Sequence, residues 1–248
     1  MKKHIIGLVA VRTTSSRLKN KAFRLLNGKP ILEVLIDRLK SKSYLDEAVI
    51  CTTTLSDDDV IEELCKKRNI PCFRGENENV LKRFCDASRF YPSTYVARIT
   101  GDNPLTDFEC MDRCLRHLEN VDCDYSRPVG LPLGTAAEVI RTEKLHELLR
   151  RSISAELSEY MTYFFEISPF IKTDLYCVSE EVFMPDLRLT IDYESDLLFI
   201  ENLIKHFGGK IPTLAEIVHY CRKDTNYPKV SEDVLKANEI KSRIKFRQ

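Results

Sequence analysis

Two carboxylates and a dense run of cations carry the chemistry of this chain. Asp102 lies in "RITGDNP" and Asp192 in "TIDYESD", each following an apolar stretch of strand length. The cations lie in "VAVRTTSSRLKNKAFRLLNGKP", residues 9–30. There an apolar run ends at Val11, and Arg12, Arg17, Lys19, Lys21, Arg24 and Lys29 follow, with Thr13, Thr14, Ser15 and Ser16 among them. Arg74 in "CFRGENENV" and Arg98 in "ARIT" add positive charge. Cations neutralise phosphates and a pair of carboxylates holds Mg²⁺, so these groups gathered in one place would form a nucleoside-triphosphate site. Singly, each has an ordinary explanation. "GDNP" is turn chemistry, Asp192 serves equally as the cap of a following helix, and the hydroxyls are common turn formers. The argument rests on their shared position at strand ends.

The standard phosphate motifs are absent. Gly28-Lys29 runs into Pro30 with no glycine five residues earlier, so there is no P-loop, and there is no GxGxxG. With only 8 glycines in the chain, side chains rather than bare backbone must supply much of the phosphate contact. None of the 5 histidines adjoins a Cys or Ser in an arrangement suited to nucleophilic catalysis. Cys110 and Cys114 have i,i+4 spacing, but no second pair and no spaced His accompanies them, which argues against zinc. The 9 cysteines, an odd number without a CxxC, read as reduced thiols. "SDDDV" at 56–60 contains the DxD of metal-dependent glycosyltransferases, but acids opening a helix are explained by capping and by the helix dipole.

The elements that must position these groups alternate. Strand-length apolar runs at "HIIGLVAV", "EAVICTTT", "STYVARIT" and "LRLTID" are separated by helical patterns, which predicts a mostly parallel sheet with helices on both faces. "KPILEVLIDRLKSK" is one such helix, with Pro30 at its first position, and "SDDDVIEELCKKR", "ENVLKRFCDASRF" and "DFECMDRCLRHLE" are others. In such sheets ligands bind beyond the carboxyl ends of the strands, where the three polar clusters would converge. From about residue 126 to 186 the rhythm breaks. "SRPVGLPLGTAAEVI" reads as a loop entering a short strand, and "SAELSEYMTYFFEISP" as a helix stopped by Pro169. We expect one domain over 1–248 with an excursion near 126–186. The 248 residues carry 38 basic and 38 acidic side chains, so no chain-wide field attracts nucleic acid. The Ile5–Val11 run is rich in β-branched residues and meets Arg12 with no small-residue cleavage site, and no stretch approaches the length of a membrane span, which predicts a soluble cytoplasmic protein.

On these blocks the chain resembles the cytidylyltransferases that activate acidic sugars, such as the CMP-ketodeoxyoctonate and CMP-sialate synthetases. More closely, it resembles their relatives in spore-coat polysaccharide biosynthesis. "VAVRTTSSRLKNKAFRLLNGKP", "FRGENENVLKRF", "ARITGDNPL" and "LRLTIDYESDL" occur in the family's order over about residues 4–206. The resemblance implies a Rossmann-like nucleotide-diphospho-sugar transferase fold, and transfer of CMP from CTP to a sugar-like acceptor with release of pyrophosphate. By the same resemblance Arg12, Ser15, Arg17 and Lys21 hold the phosphates, with Arg17 and Lys21 nearest the leaving group, and Arg74, Arg83 and Arg98 flank the nucleotide. Asp102 and Asp192 would ligate Mg²⁺, with Asp102 also counted as catalytic. Glu138, Glu159 and Tyr160 fall where the family reads its acceptor. A homodimer is implied too, with Tyr163, Phe164 and Phe165 either forming its apolar contact or lying in the core. The chain departs from the pattern at Lys19-Asn20, where Pro-Gly is usual, at Ala136 for an acid, and at Tyr160 for a His. Another nucleotide or a phosphorylated acceptor, and a nucleotide-binding protein without activity, remain the alternatives.

Overall fold

The computed structural model describes residues 4–14, 18–41, 44–224, 226–230 and 234–247. Its strands are β1 (Ile5–Ala10), β2 (Leu25–Leu26), β3 (Lys29–Pro30), β4 (Glu47–Thr53), β5 (Cys72–Gly75), β6 (Tyr95–Thr100), β7 (Tyr125–Ser126), β8 (Pro128–Val129), β9 (Glu138–Arg141) and β10 (Tyr176–Cys177). Its helices are α1 (Ile31–Ser41), α2 (Asp59–Lys67), α3 (Val80–Phe90), α4 (Phe108–Asn120), α5 (Thr142–Arg151), α6 (Met161–Ile167), α7 (Glu194–His206), α8 (Leu214–Lys223) and α9 (Val234–Arg243).

The central sheet has the order β5-β4-β1-β6-β9-β7. β5, β4, β1 and β6 run parallel, whereas β9 is antiparallel to both β6 and β7. Side chains alternate across a strand, so β1 serves two cores. Ile5 and Val9 face one core with Leu35 and Ile61, and Ile6 and Leu8 face the other with Phe84, Leu148 and Phe164. A third apolar cluster gathers Leu26, Val34, Leu189 and Ile191 against Ile200 of α7 and Ile217 of α8. The parallel order leaves the carboxyl ends of β1, β4 and β6 side by side, with Ala10 in register with both Cys51 and Thr100.

Most of the expected helices form, with caps where the sequence provides them. Asn79 caps α3 and Asp107 caps α4, each accepting a backbone N–H at 2.8 Å. Three expectations are corrected. Pro30 pairs with Leu25 in the β2–β3 hairpin and precedes α1 rather than opening it. Ser56 caps nothing; Ser56–Asp58 is a 3-10 turn leading into α2, and the Asp58 carboxylate is engaged elsewhere. "LRLTID" joins no sheet, because the antiparallel β9 takes the place beside β6. Its residues make only isolated bridges, Arg188 with Leu133 and Leu187 with Lys229. Phe164 and Phe165 are buried in this chain's own core, so they offer no surface for a second copy. No helix among the described residues is long and apolar enough to cross a membrane.

Candidate active site

Lys21, Asp102 and Asp192 meet at the carboxyl edge of the sheet, brought there by three different kinds of backbone. Asp102 follows β6 in a turn pressed against the exit of β1. The Gly101 N–H donates to the Ala10 carbonyl at 2.8 Å, and a Cβ on Gly101 would stand 2.7 Å from Val11 Cβ. That separation admits only glycine. Lys21 opens a single 3-10 turn after Asn20, whose φ of 52° lies in the left-handed region that asparagine tolerates. Its ammonium donates to Asp102 Oδ2 and, at 3.1 Å, to Asp192 Oδ1.

Asp192 arrives from a segment laid across the sheet edge. Leu133 N–H donates to Leu187 O at 2.9 Å and Leu189 N–H to Leu133 O at 2.8 Å. Gly134, at φ +93°, lets the two backbones touch, since a Cβ there would lie 2.4 Å from the Thr190 nitrogen. Arg188 donates from Nη2 to Asp192 Oδ2 at 2.9 Å and from Nε to Asp196 Oδ1 at 3.1 Å. Asp196 Oδ2 accepts the backbone N–H groups of Asp192 at 2.8 Å and Tyr193 at 2.9 Å. Asp196 therefore caps α7, and Asp192 is released from that role to face Lys21. Burial alone would raise the Asp196 carboxyl, but Arg188 and the two N–H donors outweigh it and hold the group below the usual carboxylate range. Arg188 and Asp196 are missing from the sequence reading, although their positions four residues either side of Asp192 were a usable signal.

A second unforeseen group braces the cation-rich loop. Asp58 Oδ1 accepts the backbone N–H of Thr13 at 2.8 Å and its hydroxyl at 2.7 Å. Oδ2 accepts the Thr52 hydroxyl at 2.9 Å, the Thr53 N–H at 3.1 Å and the Thr53 hydroxyl. Burial opposes ionisation of Asp58, yet the donors of Thr53, Thr13 and Thr52 keep its carboxyl below the ordinary value. One carboxylate thus ties the exit of β1 to that of β4.

The remaining expected residues separate. Ser15 and Arg17 lie outside the described residues. Arg12 is half exposed with its guanidinium 3.9 Å from Glu159, so this expected phosphate cation and this expected acceptor acid are neighbours. Tyr160 stacks on Tyr163 with ring centroids 6.3 Å apart. Arg83 is buried; its Nη1 donates to Glu76 O at 2.7 Å while Nε has no hydrogen-bond partner. Burial lowers its pKa, and the nearby charge of Arg12 adds to that effect. Arg74 does not turn to the carboxylate pair. Its nitrogens are spent on Glu62 at 2.9 Å, Asp59 at 2.6 Å, Thr53 O at 3.0 Å and Leu55 O at 2.8 Å, which brace the loop after β4. Arg98 and Glu138, expected on nucleotide and acceptor, pair with each other at 2.8 Å across β6 and β9. Glu138 also accepts from the Tyr125 hydroxyl at 3.0 Å and from Thr162, which joins β7 and α6 to the same cluster.

The profile of the cytidylyltransferases matches residues 6–223. The chain belongs to the cytidylyltransferase family. An uncharacterized protein of Methanocaldococcus jannaschii, MJ1063, is 33% identical over 93% of this chain and 95% of its own length. The spore coat polysaccharide biosynthesis protein SpsF of Bacillus subtilis is 29% identical, covering 83% of this chain and 88% of its own. A cytidylyltransferase structure from Leptospira borgpetersenii superposes with a TM-score of 0.80 over 94% of this chain and 98% of that one, at 23% identity. This cytidylyltransferase is accordingly a nucleotidyltransferase with the nucleotide-diphospho-sugar transferase type of sheet.

The residues at the edge fit a magnesium ion. Two carboxylates already share one cation, and all their donors are hard oxygens, the kind Mg²⁺ selects. Among the described residues of this cytidylyltransferase no cluster of three or more His, Cys, Asp or Glu gathers. Two carboxylates completed by phosphate oxygens and water is the usual way Mg²⁺ is held in nucleotide sites.

Proposed function

We propose that this chain transfers CMP from CTP to a hydroxyl of a sugar or sugar-like acceptor, with release of pyrophosphate. The observation that carries the reading is the convergence of Lys21, Asp102 and Asp192 at the carboxyl ends of β1 and β6, where an α/β sheet places its ligand. Asp102 and Asp192 would hold Mg²⁺, which when bound spreads the charge developing on the phosphates. The Lys21 ammonium meets the triphosphate, joined by Arg12 and, through the loop motif, by Ser15 and Arg17. Thr13, fixed by Asp58, sets the path of that loop. The acceptor oxygen bonds to the α-phosphorus as the bond to the pyrophosphate oxygen breaks, and the hydroxyl proton passes to water. Positioning and preorganised charge supply the rate, since phosphoryl chemistry asks little covalent work of the protein. The similarity to the spore-coat protein supports an acceptor destined for surface polysaccharide.

The test is pyrophosphate release with each of the four nucleotides, Mg²⁺ and a panel of sugar acids and sugar phosphates. Release with CTP that collapses in Asp102→Asn and Lys21→Ala is expected. Equal turnover in both variants would refute the site, and preference for another nucleotide would refute the base.

A further inference from the structure

The contact that unites the site also fills it. Lys21 places one ammonium between Asp102 Oδ2 and Asp192 Oδ1, the position where two carboxylates attract a cation most strongly. Asp192 has little slack. Arg188 holds the other oxygen of Asp192 at 2.9 Å, and Asp196 holds the Asp192 backbone N–H at 2.8 Å, so Asp192 cannot turn to offer a fresh oxygen. Lys21 and Arg188 face three carboxylates, and the one charge left over lies on Asp196, whose oxygens are taken by Arg188 and two backbone N–H groups. A bare divalent ion would have to expel Lys21 and would leave its ammonium next to two new positive charges. A nucleoside triphosphate removes both obstacles. Its phosphates give Lys21 another anionic partner, and they carry the metal's counter-charge with them.

We propose, building on the function inferred above, that Lys21 is the resident cation of the Asp102–Asp192 pair, and that the site takes its divalent metal only as the chelate of a nucleoside triphosphate, whose phosphates draw Lys21 off the carboxylates. Metal and nucleotide then bind with positive coupling, and each strengthens the other by the same factor.

The experiment measures Mn²⁺ binding to the full-length protein by water-proton relaxation enhancement, without acceptor and therefore without turnover. The wild type should bind Mn²⁺–CTP about tenfold or more tightly than Mn²⁺ alone, and Lys21→Met should tighten binding of Mn²⁺ alone by a similar factor, as expected when a partly solvated positive charge is removed from the site. Lys21→Arg, which keeps the charge, should bind Mn²⁺ alone no better than the wild type. Equal affinity of the wild type for Mn²⁺ and for Mn²⁺–CTP overturns the proposal, whether or not Lys21→Met folds. So does a folded Lys21→Met protein that binds Mn²⁺ alone no better than the wild type. Failure of the underlying function has a different signature: Mn²⁺–CTP binding that Asp102→Asn and Asp192→Asn leave unchanged.

Discussion

Asp58→Asn is a near-isosteric change whose cost follows from the arrangement of donors. Each Asp58 oxygen faces a backbone N–H, Thr13 at Oδ1 and Thr53 at Oδ2. Threonine hydroxyls can rotate and become acceptors, but a backbone N–H cannot. Either orientation of an asparagine amide therefore sets its NH₂ against one of these N–H groups. A buried donor left without an acceptor costs about 1–3 kcal/mol, and the surviving bonds lose the strength that an ionised acceptor gives. The sum is about 2–4 kcal/mol, which for a chain of this size lowers Tm by roughly 5–15 °C. The pH dependence has a definite sign. The folded Asp58 carboxyl lies below its ordinary value, so its stabilisation is fully present above the unfolded-state value of about 4 and is lost as pH falls through the folded value. Urea denaturation of wild type and variant at pH 7, and again under increasing acid, should show a gap that persists at neutral pH and narrows only below about pH 4. A variant within about 0.5 kcal/mol of wild type at pH 7, inside the range of ordinary surface changes, would refute the account. Because Asp58 holds Thr13, the variant should also raise the KM for CTP.

Further predictions follow from the same geometry. Arg188→Lys cannot serve Asp192 and Asp196 together, and should reduce turnover about 10–100-fold, as outer partners of metal ligands do, with a smaller relative loss in Tm. Gly101→Ala drives a methyl group to within 2.7 Å of Val11 Cβ and should cost about 1–3 kcal/mol in denaturation, a cost that Val11→Ala, which keeps that Cβ, should not remove. Glu138→Gln should be milder than Asp58→Asn, about 1–2 kcal/mol, because its amide NH₂ can turn to the Tyr125 hydroxyl, which is able to accept. An unchanged acceptor KM in that variant would place Glu138 in the fold rather than the acceptor site.

What the sequence discloses here is type and burial, and what it withholds is partnership. The runs that become β1, β4 and β6 are legible because strands covered on both faces must be continuously apolar. Asp102 is legible for the same reason, since a turn directly behind such a strand lies at the ligand-binding edge. Asp192 is found at the right place for an incomplete reason. Leu187, Leu189 and Ile191 are all buried and alternate with Arg188 and Thr190, the pattern of a half-buried strand. Alternation reports which side of an extended segment faces a core; it does not report whether a neighbouring strand is free to pair. β9 had already taken the edge of β6, and that depends on a segment some 50 residues earlier in the chain.

The arginines carry the same lesson further. Arg74 and Arg98 have the charge, and the position within a sheet strand, that a phosphate ligand needs, yet Arg74 is paired with Asp59 and Glu62 of α2 and Arg98 with Glu138 of β9. Lys21 differs in being shared between segments: one acid it meets stands in the turn behind β6 at Gly101, and the other, Asp192, is held by Arg188. Such a shared cation can be exchanged, because the backbone turn that carries Asp102 and the hold of Arg188 on Asp192 do not depend on it. The convergence of these two carboxylates from separate segments, more than the number of cations nearby, is what makes this strand edge suited to binding a charged substrate.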